Sequence, residues 1–150
     1  MAHRTDAEGW VVYQCTWEAG EDNSPRLDPA GEGDHVITEF TRPVELQAML
    51  AVSAGVLARL AGELGEAAER AHWRSVAEVY RERTRALWDD GQGRFRDWDK
   101  RAGRFVEPAG RPTYWEADPA RYSPLSLTPL LDGVATPEQA ARLLAELPAY

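Results

Sequence analysis

Two segments of helical periodicity stand almost back to back in the middle of the chain, and they restrict its fold more than any other feature. From Pro43 to Leu64, the residues Leu46, Leu50, Leu57, Leu60 and Leu64 recur at steps of four, seven, three and four, which lines them along one face of an α-helix. Thr41 reads as the N-cap and Gly65 as the stop. After a short turn, Trp73, Val76, Tyr80 and Leu87 keep the same spacing through a charged background until Asp89-Asp90-Gly91 interrupts it. Two long helices joined so tightly must fold back on one another, so residues 43–90 read as an antiparallel helix pair.

Downstream, GRFRDWDKRAGRFVE repeats Arg-Phe across a glycine-containing turn, which predicts a small β-hairpin over 93–107. Near the end, Thr136-Pro137-Glu138-Gln139 supplies an N-cap, a proline at the first helical position and the glutamine of a capping box. Ala140, Leu143, Leu144 and Leu147 then form one apolar face, and the terminal helices are expected over 124–148. The expected fold class is all-α with a small β-hairpin. Its helix faces outnumber the partners available to cover them, so the chain is expected to be part of a larger helical domain.

Composition narrows the partners. The 150 residues carry 17 basic and 25 acidic side chains, a net charge of -8, with no basic cluster. This argues against nucleic acid and anionic membrane surfaces as partners. The uninterrupted apolar runs are all shorter than the roughly 18 residues that span a bilayer, and MAHRTDAEGW lacks the apolar core of a signal peptide. A lone Cys15 has no internal disulfide partner. The expected location is cytoplasmic. His3, His35 and His72 are scattered, Asp97-Trp98-Asp99 lacks the closing glutamate of a calcium loop, and neither a metal nor another cofactor is expected. Six tryptophans are many for this length; their flat faces serve cores, and they also stack on sugars.

The chemistry concentrates in WEAGEDNSPRLDP, residues 17–29 of a loop over 13–29. Glu18, Glu21 and Asp22 lie within five positions beside Trp17, and carboxylates this close raise one another's proton affinity. A carboxylic acid beside an aromatic wall is equipped to protonate a leaving oxygen in glycoside hydrolysis, with Asn23 or Arg26 orienting sugar hydroxyls. The competing reading is an acidic loop whose Asn-Ser-Pro makes a turn and whose carboxylates cap neighbouring helices. Glu116, in TYWEADP, reads as a loop residue.

The stretch Tyr13 to Arg26 resembles the W-E-S-G-x-D-N-S-P-R signature of the trehalase-like glycoside hydrolases, especially family 63, which includes mannosylglycerate and glucosylglycerate hydrolases. PVELQAML, ALWDDGQGRFRDWD and SPLSLTPLLDGVATPEQAARLLAEL resemble further segments of that family in the same order. The resemblance implies part of an (α/α)6 toroid of helical hairpins and an inverting hydrolysis of an α-glycoside such as a glycosylglycerate, trehalose or a short α-glucoside. It assigns the general acid to Asp22, a sugar-subsite wall to Trp17, and to Arg26 the holding of a substrate oxygen or of the acid's orientation, with Glu18 and Asn23 as weaker hydroxyl contacts. The general base of the family is a glutamate later in the barrel, outside this chain, so the isolated chain is expected to be inactive. Its expected partners are a small carbohydrate, the remainder of the barrel, or other copies held through exposed helix faces. Glu45 and Gln47 replace the family's usual Asp and Asn, and Ala19 its serine, which bears on the substrate more than on the fold. The alternative function is a non-catalytic helical domain that binds sugar or a partner. A sugar epimerase on the same toroid is disfavoured because such enzymes use paired histidines.

Overall fold

The computed structural model describes residues 4–20, 27, 38–107 and 124–145, and helix predominates among them. They fall into two compact units, Met1–Pro43 with Arg96–Pro124 and Val44–Phe95 with Leu125–Tyr150.

The second unit is built on α1 (Val44–Glu63) and α2 (Ala67–Ala86). The expected helix pair is present, and its turn has a clear physical cause. Gly65 takes φ +75°, a conformation that costs glycine little. It donates its N–H to Gly62 at 3.2 Å, while Glu66 donates to Ala61 at 2.9 Å. These two bonds form a Schellman motif that satisfies orphan carbonyls at the end of α1.

The buried face of α1 differs from the expected one. Ala48, Ala51, Ala54, Gly55, Ala58 and Ala61 are buried, whereas Leu57, Leu60 and Leu64 are exposed, Leu64 to 77%. Leucine and alanine stripes share one helical period, so spacing does not decide which faces the partner. Here the small residues form the buried stripe. Thr41 is likewise not the N-cap of α1: its backbone belongs to β1 (Thr41–Arg42), and the helix begins after Pro43.

By length and composition α1 is apolar enough to cross a membrane, although its apolar residues do not form one uninterrupted run. Half of its most apolar window is buried within the protein, as in a core helix.

A small apolar centre forms where Ala48 and Ala51 meet Val134, with Val52 and Tyr80 packed around it. The 3-10 segment Pro124–Gly133 delivers Val134, and Asp132 turns the chain there at φ 49°. The capping box of α3 (Pro137–Ala145) forms as the sequence indicates: Gln139 N–H donates to Thr136 Oγ1 at 3.2 Å, and Thr136 N–H donates to Gln139 Oε1 at 3.1 Å. Leu143 is buried while Leu144 stays half-exposed; Leu147 lies outside the described residues.

The helical run does not reach Asp90. It gives way after Ala86 to β2 (Trp88–Asp89), antiparallel to β3 (Arg94–Phe95). Trp88 packs edge-on against buried Phe95 at 4.9 Å. Arg142 of α3 holds this hairpin by donating to the Asp90 carbonyl at 2.7 Å and pairing with its carboxylate.

In the first unit, β4 (Trp98–Asp99) and β5 (Arg104–Phe105) form the second hairpin, and β1 joins the edge of β4 to give the order β1-β4-β5. Asp99 pins its turn by accepting N–H bonds from Arg101 at 2.8 Å and Ala102 at 3.1 Å. That role as a turn anchor accounts for one of the two aspartates in the calcium-like stretch.

Candidate functional site

The acid loop is anchored at its base. Thr38, almost fully buried, donates its N–H to the Gln14 carbonyl at 3.1 Å and its hydroxyl to the Tyr13 carbonyl at 3.0 Å. One threonine thereby ties position 38 to the beginning of the loop segment. Thr16 is fully buried beside this tie, and Leu27 is buried further along.

Trp17 and Glu18 sit on the 3-10 turn Thr16–Ala19, which ends at Gly20 with φ 66°. They are adjacent but serve opposite ends. Trp17 exposes 57% of its surface, more than a packing role requires. Elsewhere, Trp10 lies beneath Arg42 at 4.5 Å, Trp73 donates to Glu69 at 3.1 Å, and Trp88 and Trp98 pack edge-on against phenylalanines. Glu18 turns back on the chain, accepts the Gln14 N–H at 2.9 Å and pairs with Arg4. The Gln14 N–H, followed by Arg4, holds its carboxyl below the ordinary carboxylate range. Its charge thus goes to closing the loop's entry. Asp22, Asn23 and Arg26 lie outside the described residues, as do Glu21 and Glu116.

On α1, Glu45 and Gln47 are both buried. An extra methylene relative to Asp or Asn at such positions changes the shape of the surrounding space, since packed interiors respond to a single carbon.

Sequence reasoning missed a carboxylate that organises the first unit. The Asp6 side chain is only 2% exposed. Its Oδ1 accepts N–H bonds from Glu8 at 2.9 Å and Trp10 at 3.0 Å. Its Oδ2 faces Arg42 Nε at 3.1 Å, Arg42 Nη2 at 3.0 Å and Lys100 Nζ at 3.2 Å. Burial raises its proton affinity, but the Trp10 N–H, Arg42, Lys100 and the Glu8 N–H outweigh burial and hold the pKa below the ordinary value. The hub joins the first turn, β1 and the β4–β5 hairpin, with Arg42 stacked on Trp10. DAEGW carries an Asx-turn signal, an aspartate followed by a glycine at φ 81°. Arg42 and Lys100, distant in sequence, carried no such signal.

Residues 1–149 match the family model of the mannosylglycerate hydrolase MGH1-like glycoside hydrolase domain, and the chain belongs to that family. A comparison with curated proteins gave no match. Membership gives the chain a glycosidase-like function of the hydrolase class, consistent with its mostly helical structure and small β-sheet.

Proposed function

We propose that the chain contributes the general-acid side of an inverting glycosidase acting on a small α-glycoside, a glycosylglycerate, trehalose or a short α-glucoside. In this reading Asp22 protonates the glycosidic oxygen. Trp17 stacks on the apolar face of the sugar, and Arg26 and Asn23 hold its polar groups. A second carboxylate, supplied from elsewhere in an (α/α)6 toroid, activates water on the opposite face, roughly 6.5–9.5 Å from the acid. Protonation and attack then occur in one displacement, so the anomeric configuration inverts.

The observation that carries the reading is the family match across residues 1–149. Two features support its finer parts. Thr38 bonds back to Tyr13 and Gln14, at the start of the segment whose sequence carries Asp22. The outward leucines of α1 give it a second apolar face besides the alanine seam, as a helix needs when hairpins flank it on both sides in a toroid. Each such leucine contributes about 1.5–3 kcal/mol once fully covered.

The test is Asp22→Asn in the native gene product that carries this chain, assayed against glycosylglycerates and trehalose, with the product anomer followed by proton NMR from the first turnovers. Turnover should fall by at least about a hundredfold, the usual worth of a general acid, with substrate binding retained, and the parent should release the inverted anomer. Unchanged turnover refutes Asp22 as the acid, and a retained anomer refutes inversion. Sugar binding without turnover by the parent supports the non-catalytic alternative.

A further inference from the structure

The helix pair contains a groove of about 540 Å³ lined by the small residues Gly55, Ala58, Gly62 and Ala77, by Arg59, Arg70, Arg74 and Arg81, and by Glu63 and Glu78. An antiparallel helix pair ordinarily closes such a seam with apolar side chains. Here four guanidinium groups outnumber two glutamates along it, in a chain whose net charge is -8.

The four arginines divide into two sets. Arg59 and Arg81 converge on Asp132, at 3.1 Å and 3.6 Å, and Arg81 also approaches Glu78 at 3.5 Å. Arg70 and Arg74 have no ion-pair partner among the described residues. Arg70 lies against Gly62: a Cβ on Gly62 would meet its Cδ at 3.4 Å and its Nε at 3.5 Å. The long stem of an arginine can serve merely to cover small residues, but a leucine or methionine does that without gathering like charges. Set against Glu63, Glu78 and Asp132, the four guanidinia leave one positive charge in excess.

We propose that this groove binds a small phosphate-bearing anion, held by the forks of Arg70 and Arg74. The two residues are one helical turn apart, so their side chains rise side by side about 5–6 Å apart at the Cβ atoms. A planar carboxylate is satisfied by a single fork, whereas a tetrahedral dianion presents oxygens to two. Arg59 and Arg81, already tied by Asp132, supply background potential. The proposal is independent of the glycosidase reading and concerns the helix pair alone.

Isothermal titration calorimetry at low, fixed ionic strength tests it on the intact protein, with inorganic phosphate and glycerol phosphate as probes and acetate as the planar comparison. Saturable binding of at least one phosphate probe, tighter than acetate, is expected. Arg70→Gln with Arg74→Gln should weaken it at least tenfold, a ratio equivalent to about 1.4 kcal/mol, while Arg104→Gln, on exposed β5, leaves it unchanged. Tighter binding of the ester identifies an organic phosphate as the ligand, and tighter binding of phosphate identifies the free ion. Arg74→Lys keeps the charge and removes the fork, so it should weaken binding severalfold without threatening the fold. Absence of saturable binding, equal loss in Arg104→Gln, or full affinity in Arg74→Lys overturns the proposal.

Discussion

Asp6→Asn separates the two halves of the Asp6 hub. Asparagine keeps an oxygen for the Glu8 and Trp10 N–H groups but turns an NH2 toward Arg42 and Lys100, replacing attraction by a meeting of donors. Removing one partner of a buried ion pair costs about 3–5 kcal/mol. Arg42 retains Glu8 at 2.8 Å and Lys100 is partly exposed, so the expected loss is at the lower end, about 3 kcal/mol. Asp6→Ala also forfeits the two backbone bonds, adding about 1 kcal/mol for each. For a chain of this length, the asparagine variant should lower Tm by about 6–12 °C. Glu8→Gln, on a side chain 65% exposed, should cost under about 1 kcal/mol. Urea unfolding at pH 7 reads all three. The sign with pH follows from the depressed native pKa. The stabilisation is complete above the ordinary value of 3.8 and is lost as pH falls through the lower native value, because the unfolded carboxyl takes up its proton first. The parent should therefore weaken below about pH 4 more steeply than Asp6→Asn. An asparagine variant within about 0.5 kcal/mol of the parent, or a Glu8→Gln as costly as Asp6→Asn, refutes the hub as a source of stability.

Gly62→Ala should stabilise the protein by up to about 1 kcal/mol through helix propensity, because the new methyl meets only the flexible stem of Arg70. Gly55→Ala should show no such gain and a net loss, since its methyl would come 3.0 Å from an Asp132 oxygen that Arg59 and Arg81 hold in place; thermal unfolding of the pair decides between these outcomes. Thr136→Ala opens the capping box and should cost about 1 kcal/mol, read by denaturant midpoint. Glu18→Gln should speed hydrogen exchange at the Gln14 amide, whose acceptor then loses its charge, and an unchanged rate would show that the carboxylate does not close the loop's entry.

The sequence revealed elements better than their surroundings. The α1–α2 pair was legible because its turn chemistry is local, a glycine at the position where the Schellman motif needs one. The capping box of α3 was legible for the same reason. The buried face of α1 was not, because alanine and leucine stripes have one period and the choice between them depends on what packs alongside. The strand β1 spans only Thr41–Arg42 and exists through pairing with Trp98 and Asp99, a partnership that no local pattern announces. At the candidate site, the motif identified the loop, and Trp17 and Glu18 could be followed into the structure. The Thr38 tie at the start of the loop and the Asp6 hub elsewhere in the unit depend on residues brought together from distant parts of the chain.

The tie made by Thr38 also bears on how such a domain diversifies. Once the two ends are fixed by bonds outside the intervening stretch, the entropic cost of closing that stretch grows only with the logarithm of its length, about 0.6 kcal/mol for each doubling. The small cost applies to changes of length between the buried Leu27 and Thr38, whereas Thr16 and Leu27 are packed into the unit and resist exchange. Length can then vary on the approach to Thr38, while the threonine keeps each version attached at the same two points.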